Sequence, residues 1–317
     1  MSLSTLPSAL ATLNVRSCLI QQRGELIFEY YRDQHIPAEV AKINSCTKSI
    51  LSALIGIAMD QGLLPGLSVP LGEFFPQLKR DADTRKQQIT LEQLLNMSAG
   101  FRWNEFGGAN SFPKMTRSPH WVNYVLEQPL GEEPGVRMEY NSGISQLLSA
   151  ILVQASGRST ADFAEEFLFG PLGIREYEWE TDPQGIHTGG YGLKLRPADL
   201  LNFGQLYLQE GIWRGVQLLS GSWVTQSVQP AMETEPPRHG GYAWHWWTGS
   251  LICRPESGES ENIDYYYARG YAGQFVYVLP PLQLVVVLTQ DNKRGRNNPP
   301  PDVFREYLLP LLGASSS

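Results

Sequence analysis

Ser45-Cys46-Thr47-Lys48 sets a hydroxyl and an amine three positions apart, a spacing that on a helix brings both side chains to one face at neighbouring turns. A serine hydroxyl is a poor nucleophile until a base takes its proton. A lysine serves as that base only where burial or a nearby charge weakens its hold on its own proton. The run that follows, with Ile50, Leu51, Leu54, Ile55 and Ala58, supplies a dry setting, and a residue in a first helical turn has a backbone N–H free to bind an oxyanion. Ser45 and Lys48 are therefore a candidate nucleophile and activating amine for acyl transfer. The same spacing also suits an ordinary helix start, and chance supplies it about once in a chain of this length. Ser111-Phe112-Pro113-Lys114 is such a copy: it sits among Gly107, Gly108 and Asn110, contains Pro113 and leads into no apolar run, so a loop coincidence is expected there.

A second element is Tyr140-Asn141-Ser142-Gly143, which follows the turn-forming Glu133-Pro134-Gly135 and precedes a helical pattern. A loop can aim such side chains at another element. A phenol held near an ammonium ionises more readily and can take a serine proton, then return it to a leaving group. A packed aromatic at a helix start gives the same pattern. The third element, Arg269-Gly270-Tyr271-Ala272-Gly273-Gln274, enters an apolar strand pattern. Gly270 and Gly273 would let a ligand lie against the backbone, and the Gln274 N–H would be a second oxyanion donor after Ser45; a plain loop-to-strand turn reads the same way. His187-Thr188-Gly189 leads towards a helix start at Pro197 rather than a strand, and is read as a misleading match. Trp103, Trp244, Trp246, Trp247 and Tyr265 to Tyr267 could line an apolar cleft or pack on strand faces. The five histidines form no H-x-x-x-H or H-x-x-E-H pattern, so no metal is expected.

The elements that must carry these groups are legible in outline. Ser17 to Gln21 and Glu25 to Tyr31 read as a hairpin about Gln22-Arg23-Gly24, and Gln274 to Leu279 with Gln283 to Thr289 as another about Pro280-Pro281-Leu282. A buried helix is expected from Ser45 to Gln61, capped by Asn44 and closed by Gly62. Further helices fit Leu91 to Asn96, His120 to Glu127, Ile144 to Gln154, Ala161 to Phe169, Pro197 to Gln209 and Asp302 to Leu311. Sheet signals at both ends with helices between them imply an α/β (α+β) fold: an antiparallel sheet with flanking helices built from both termini, residues 1–74 and 206–317, with an inserted helical region at 75–205.

At 317 residues and 42% apolar the chain can bury a sizeable core. A net charge of −7 argues against nucleic acid and anionic membranes as partners, which need clustered Lys and Arg, and suits a small molecule. Cys18, Cys46 and Cys253 are too few and too scattered for a disulfide framework or a zinc site. Met1 to Leu13 has no basic start followed by an apolar run, which reads as cytoplasmic, although an exported protein trimmed of its signal would look the same. Nothing in the sequence speaks to oligomeric state.

The order and context of the three elements resemble the serine β-lactamase and penicillin-binding protein superfamily, whose motifs are S-x-x-K, then Y-x-N or S-x-N, then K-T-G. Within it the chain is similar to the class C-like esterase branch, which includes 6-aminohexanoate-dimer hydrolases. Leu94-Leu95-Asn96-Met97-Ser98-Ala99-Gly100 and Pro171-Leu172-Gly173-Ile174 belong to the same resemblance. It implies a β-lactamase/transpeptidase-like fold, Ser45 as nucleophile, Lys48 as activating amine, Tyr140 as general base and acid, and no cofactor. Tyr271-Ala272-Gly273 then occupies the K-T-G place and Asn141-Ser142 the end of the second motif. Tyr271 stands where the family has a cation, and Ser142 where it has an asparagine. Both departures point away from β-lactams and towards a small ester or amide as substrate. A penicillin- or peptidoglycan-binding protein acylated without turnover, and a D-amino-acid peptidase, are the competing readings.

Overall fold

The computed structural model describes residues 4–234, 240–253, 261–291, 303–309 and 314–316. The pattern about Arg23-Gly24 closes as a hairpin of β1 (Val15–Gln22) and β2 (Glu25–Tyr31), with φ of 52° and 83° at the two turn residues, as a primed turn requires. The later hairpin, β12 (Gln274–Leu279) and β13 (Leu284–Gln290), turns over a 3-10 segment at Pro280–Leu282. These two hairpins join, because β1 pairs antiparallel with β13, Cys18 opposite Leu288 and Ile20 opposite Val286. Both ends of the chain therefore share one sheet.

That sheet has nine strands in the order β2-β1-β13-β12-β11-β10-β9-β8. Its remaining members are β8 (Met232–Glu233), β9 (Gly241–Ala243), β10 (Trp246–Cys253) and β11 (Glu261–Gly270), with β14 (Ala314–Ser316) paired to β10. Three short strands, β3 (Ala41–Lys42), β4 (Glu178–Trp179) and β5 (Leu193–Leu195), make a separate sheet in the order β3-β5-β4, and β6 (Ile212–Trp213) with β7 (Val216–Gln217) forms a ribbon.

The near-continuous apolar runs of β12 and β13 have a physical cause: both faces of the sheet are buried. Val276, Val278, Val285 and Val287 face the main core with the helices Thr47–Asp60, Ser142–Ser156 and Pro197–Leu208. Tyr277, Leu279, Leu284, Val286 and Leu288 alternate with them and face Leu6 and Leu10 of the first helix (Leu6–Thr12) and Phe304 and Leu308 near the end. Period-2 alternation thus splits one apolar run between two cores. Asp302, Pro310 and Leu311 of the expected last helix lie outside the described residues, which show a wide helical turn at Phe304–Leu308.

Between β3 and β8 the chain is mainly helical. Helices occur at Leu91–Leu95, Trp121–Leu126, Ser142–Ser156, Thr160–Ala164 and Pro197–Leu208, each where the sequence carries a helical period. Thr90 caps the first of these, accepting from the Gln93 N–H while the Gln93 side chain accepts from the Thr90 N–H.

The start of the Ser45 helix differs from expectation. Asn44 to Cys46 form a 3-10 turn and the α-helix runs from Thr47 to Asp60. Asn44 caps nothing with its side chain; it adopts a φ of 50° and its amide donates across the sheet edge to the Tyr271 carbonyl at 2.7 Å. The far end follows expectation, with Gly62 at a φ of 70° past the last turn. All residues from Thr47 to Ala58 are buried.

Candidate active site

Ser45 sits in the 3-10 turn and Lys48 in the first α-turn, and Lys48 Nζ reaches Ser45 Oγ at 3.4 Å. The lysine is 2% exposed. Its ammonium also donates to Ser142 Oγ and to the Gly190 carbonyl, both at 2.9 Å. It lies 4.7 Å from the centroid of the Tyr140 ring, over its face, where the ring quadrupole attracts a cation. Tyr140 also stacks on Trp247 at 5.8 Å and meets Tyr242 edge-on at 6.5 Å. The Tyr140 loop is itself tied to Leu91-to-Gly100: Met97 O accepts from the Glu139 N–H and Ser98 O from the Gly135 N–H. Cys46, next to the nucleophile, is no rival to it, because burial pushes its thiol up, away from the thiolate form.

The structure brings Ser45, Lys48, Tyr140 and Ser142 together and gives other expected residues different surroundings. Asn141, expected to touch substrate, is 1% exposed; its side-chain oxygen accepts from the Gly143 and Ile144 N–H groups and caps the helix Ser142–Ser156. Trp103, expected to line a cleft, is buried, and its indole N–H donates to Glu105 at 2.9 Å. Gly273, expected to admit a ligand, has its open side filled by the Gln290 side chain, while a Cβ on Gly270 would overlap the Ile43 carbonyl oxygen and stand 3.2 Å from Asn44 Cβ. Gly270 is thus the glycine whose backbone runs against the Ser45 turn. Gln274 pairs with Gly270 across the hairpin, its side-chain amide donating to the Ala272 and Gln290 carbonyls. Tyr271 is half exposed beside them. Trp246 packs into the main core against Phe203 and Tyr207, so of the tryptophans in that stretch Trp247 is the one that touches Tyr140.

The second Ser-x-x-Lys pair is divided. Ser111 is buried and donates to the Gly108 carbonyl, while Lys114 is exposed on a short helix, Phe112–Met115.

Three contributors were not read from the sequence. Gly190 follows the discarded His187-Thr188-Gly189 and holds Lys48 through its carbonyl. Glu105 accepts from Ser142 N at 3.0 Å and from Ser142 Oγ; the carboxylate two residues after Trp103 was its only local mark. His245 is buried, with Nδ1 2.9 Å from the Leu95 carbonyl and Nε2 3.0 Å from Ser145 Oγ. A carbonyl only accepts, so Nδ1 carries the proton and Nε2 accepts from Ser145.

Burial, and secondly the Lys48 charge, pushes His245 down to about 3. The unfolded chain takes up this proton below about pH 6.5, whereas the folded chain refuses it until about pH 3. Stability should therefore fall as pH drops through that window, by about 2 kcal/mol at about pH 5. Urea unfolding at neutral pH and at about pH 5 tests this against His245→Asn, since asparagine tolerates the φ of 64° found there. The variant should lose about 2 kcal/mol less than the parent between the two conditions; an equal loss refutes the assignment.

Among the described residues no group of three or more His, Cys, Asp or Glu side chains could hold a metal ion, and no helix is long and apolar enough to cross a membrane. A family model described as Beta-lactamase matches residues 17–305. The chain is 23% identical over 291 residues to a 6-aminohexanoate-dimer hydrolase of Paenarthrobacter ureafaciens, covering 85% of this chain and 70% of that one. It is 25% identical over 196 residues to the D-alanyl-D-alanine-carboxypeptidase/endopeptidase AmpH of Escherichia coli (strain K12), 55% of this chain and half of the relative. A class C β-lactamase from Rhodobacter sphaeroides superposes with a TM-score of 0.65 at 16% identity, over 92% of this chain and 94% of that one.

Proposed function

The chain belongs to the Beta-lactamase family, and we propose that within it the protein is a serine hydrolase of small esters or amides, working through an acyl-enzyme on Ser45. The observation that carries this reading is the buried Lys48 ammonium within 3.4 Å of Ser45 Oγ, with its remaining contacts met by Ser142, Gly190 and the Tyr140 ring. In the proposed cycle Lys48 and Tyr140 take the Ser45 proton as Oγ bonds to the substrate carbonyl carbon. The oxyanion is held by the Ser45 N–H and a second backbone N–H from the Gly270-to-Gln274 hairpin, expected to be that of Gln274. The intermediate expels an alcohol or amine that carries the proton away, and water, deprotonated by the same pair, releases the acid. The cleft is taken to lie between the sheet part, residues 1–74 and 206–317, and the helical part, 75–205. Tyr271 in place of a cation and Ser142 in place of an asparagine favour a small neutral ester or amide over a β-lactam.

Intact-mass spectrometry separates turnover from mere capture. After mixing with p-nitrophenyl butyrate, and separately with a β-lactam, the protein should return to its unmodified mass once the ester is consumed. A persistent Ser45 adduct from both would instead support a protein that binds and does not hydrolyse. A screen of short-chain esters, aminohexanoate oligomers and D-alanyl dipeptides ranks the substrate classes, and release of D-alanine alone would favour the peptidase reading.

A further inference from the structure

Glu105 lies off the nucleophile's own helix and touches neither Ser45 nor Lys48, yet its carboxylate decides where the protons around Lys48 can point. Oε2 accepts from the Trp103 indole N–H at 2.9 Å and from the Ser142 N–H at 3.0 Å. Oε1 accepts from the Ser142 hydroxyl. An ionised carboxylate has no proton to give, so the single Ser142 hydroxyl proton is committed to Glu105, and Ser142 Oγ meets Lys48 Nζ only as an acceptor. The Gly190 carbonyl on the same nitrogen also only accepts.

Two of the three free positions on Nζ must therefore carry hydrogens. The third is directed at Ser45 Oγ. When the ammonium gives up a proton, the lone pair falls at that third position, because the other two partners demand N–H groups. Were Ser142 not tied to Glu105, its hydroxyl could rotate and donate to the lone pair, leaving an N–H towards Ser45 and an amine unable to take the serine proton. We propose that Glu105 is a positioning residue that fixes the direction of hydrogen bonding through Ser142 and so reserves the Lys48 lone pair for Ser45. The inference rests on the Ser45 reading above. No new bond is made or broken beyond those of that cycle; the Lys48–Tyr140 pair takes the Ser45 proton through Lys48 Nζ, and Glu105 keeps its charge.

The test is labelling of Ser45 by a fluorophosphonate, in which Oγ displaces fluoride from phosphorus, followed by intact mass as a function of pH. Glu105→Gln should slow labelling by about 10- to 100-fold at its plateau, a fraction of what positioned proton transfer supplies. Loss of the negative charge near the ammonium should also move the acid limb of the pH profile to lower pH, which a merely structural role would not do. Ser142→Ala should slow labelling comparably, and Glu105→Gln in that background should add little, because both break one chain of contacts. If Glu105→Gln fails to fold, Ser142→Ala alone decides: labelling at the parent rate overturns the inference. So does a folded Glu105→Gln with the parent's rate and acid limb, or two effects that multiply. A parent protein that takes up no label at Ser45 overturns the Ser45 reading and this inference together; a labelled parent with an unaltered Glu105→Gln overturns this inference alone.

Discussion

Ser45→Ala should lower turnover of p-nitrophenyl acetate or butyrate by at least about 10³-fold while leaving the unfolding midpoint in urea unchanged. The size of the loss follows from the proposed chemistry: no acyl-enzyme forms without Oγ, and what remains is whatever backbone N–H donors and binding do for direct attack by water. Stability should hold because Ser45 is only partly buried and its hydroxyl contact is a 3.4 Å approach of Lys48, an ammonium that keeps Ser142 and Gly190 as acceptors after the change. The measurement pairs steady-state hydrolysis with urea denaturation. Turnover undiminished in a folded Ser45→Ala protein would sink the assignment of the nucleophile, whatever the family.

The second large effect concerns Gly189. A Cβ there would sit on the Ser145 carbonyl oxygen, 2.5 Å from the carbonyl carbon and 2.9 Å from Leu51 Cδ2. Both neighbours belong to long buried helices, Ser142–Ser156 and Thr47–Asp60, and a backbone carbonyl inside a helix cannot swing aside as a side chain can. Gly189→Ala should therefore cost about 3 kcal/mol or more, at the upper end of overpacking effects. It should also lower activity in the protein that remains folded, because displacing the loop withdraws the adjacent Gly190 carbonyl from Lys48 and strains the 3.1 Å bond from the Gly189 N–H to Gln146 Oε1. Chemical denaturation gives the first number and esterase assays the second. Parental stability in Gly189→Ala would show that the loop does not lie against Ser145.

Local signals carried well wherever the cause was local. The Ser45 spacing, the two hairpins and the helices at Leu91–Leu95, Trp121–Leu126 and Pro197–Leu208 depend on turn residues and periodicity within about a dozen positions. Asn44 shows where that reasoning stops. Its type and place before an apolar helix suit a cap, but Tyr271, 227 residues away, offers its amide a carbonyl, and the α-helix starts two residues late, at Thr47. The Asn141 amide is the reverse case: it suited a ligand contact by motif, and the helix that begins beside it took the side-chain oxygen as its cap.

Residue type and short spacing were enough to place a hydroxyl and an amine at one buried helix start, a Tyr-bearing loop before another helix, and strands at both ends of the chain for one sheet. Which acceptors surround Lys48 depends instead on long-range packing. Gly190 is 142 residues from it in sequence and Ser142 is 94, while Glu105 reaches Ser142 across 37. No periodicity encodes such meetings. They follow from how the helices Thr47–Asp60 and Ser142–Ser156 pack against each other and against the sheet, since a buried ammonium is stable only where the fold delivers acceptors to every proton it carries.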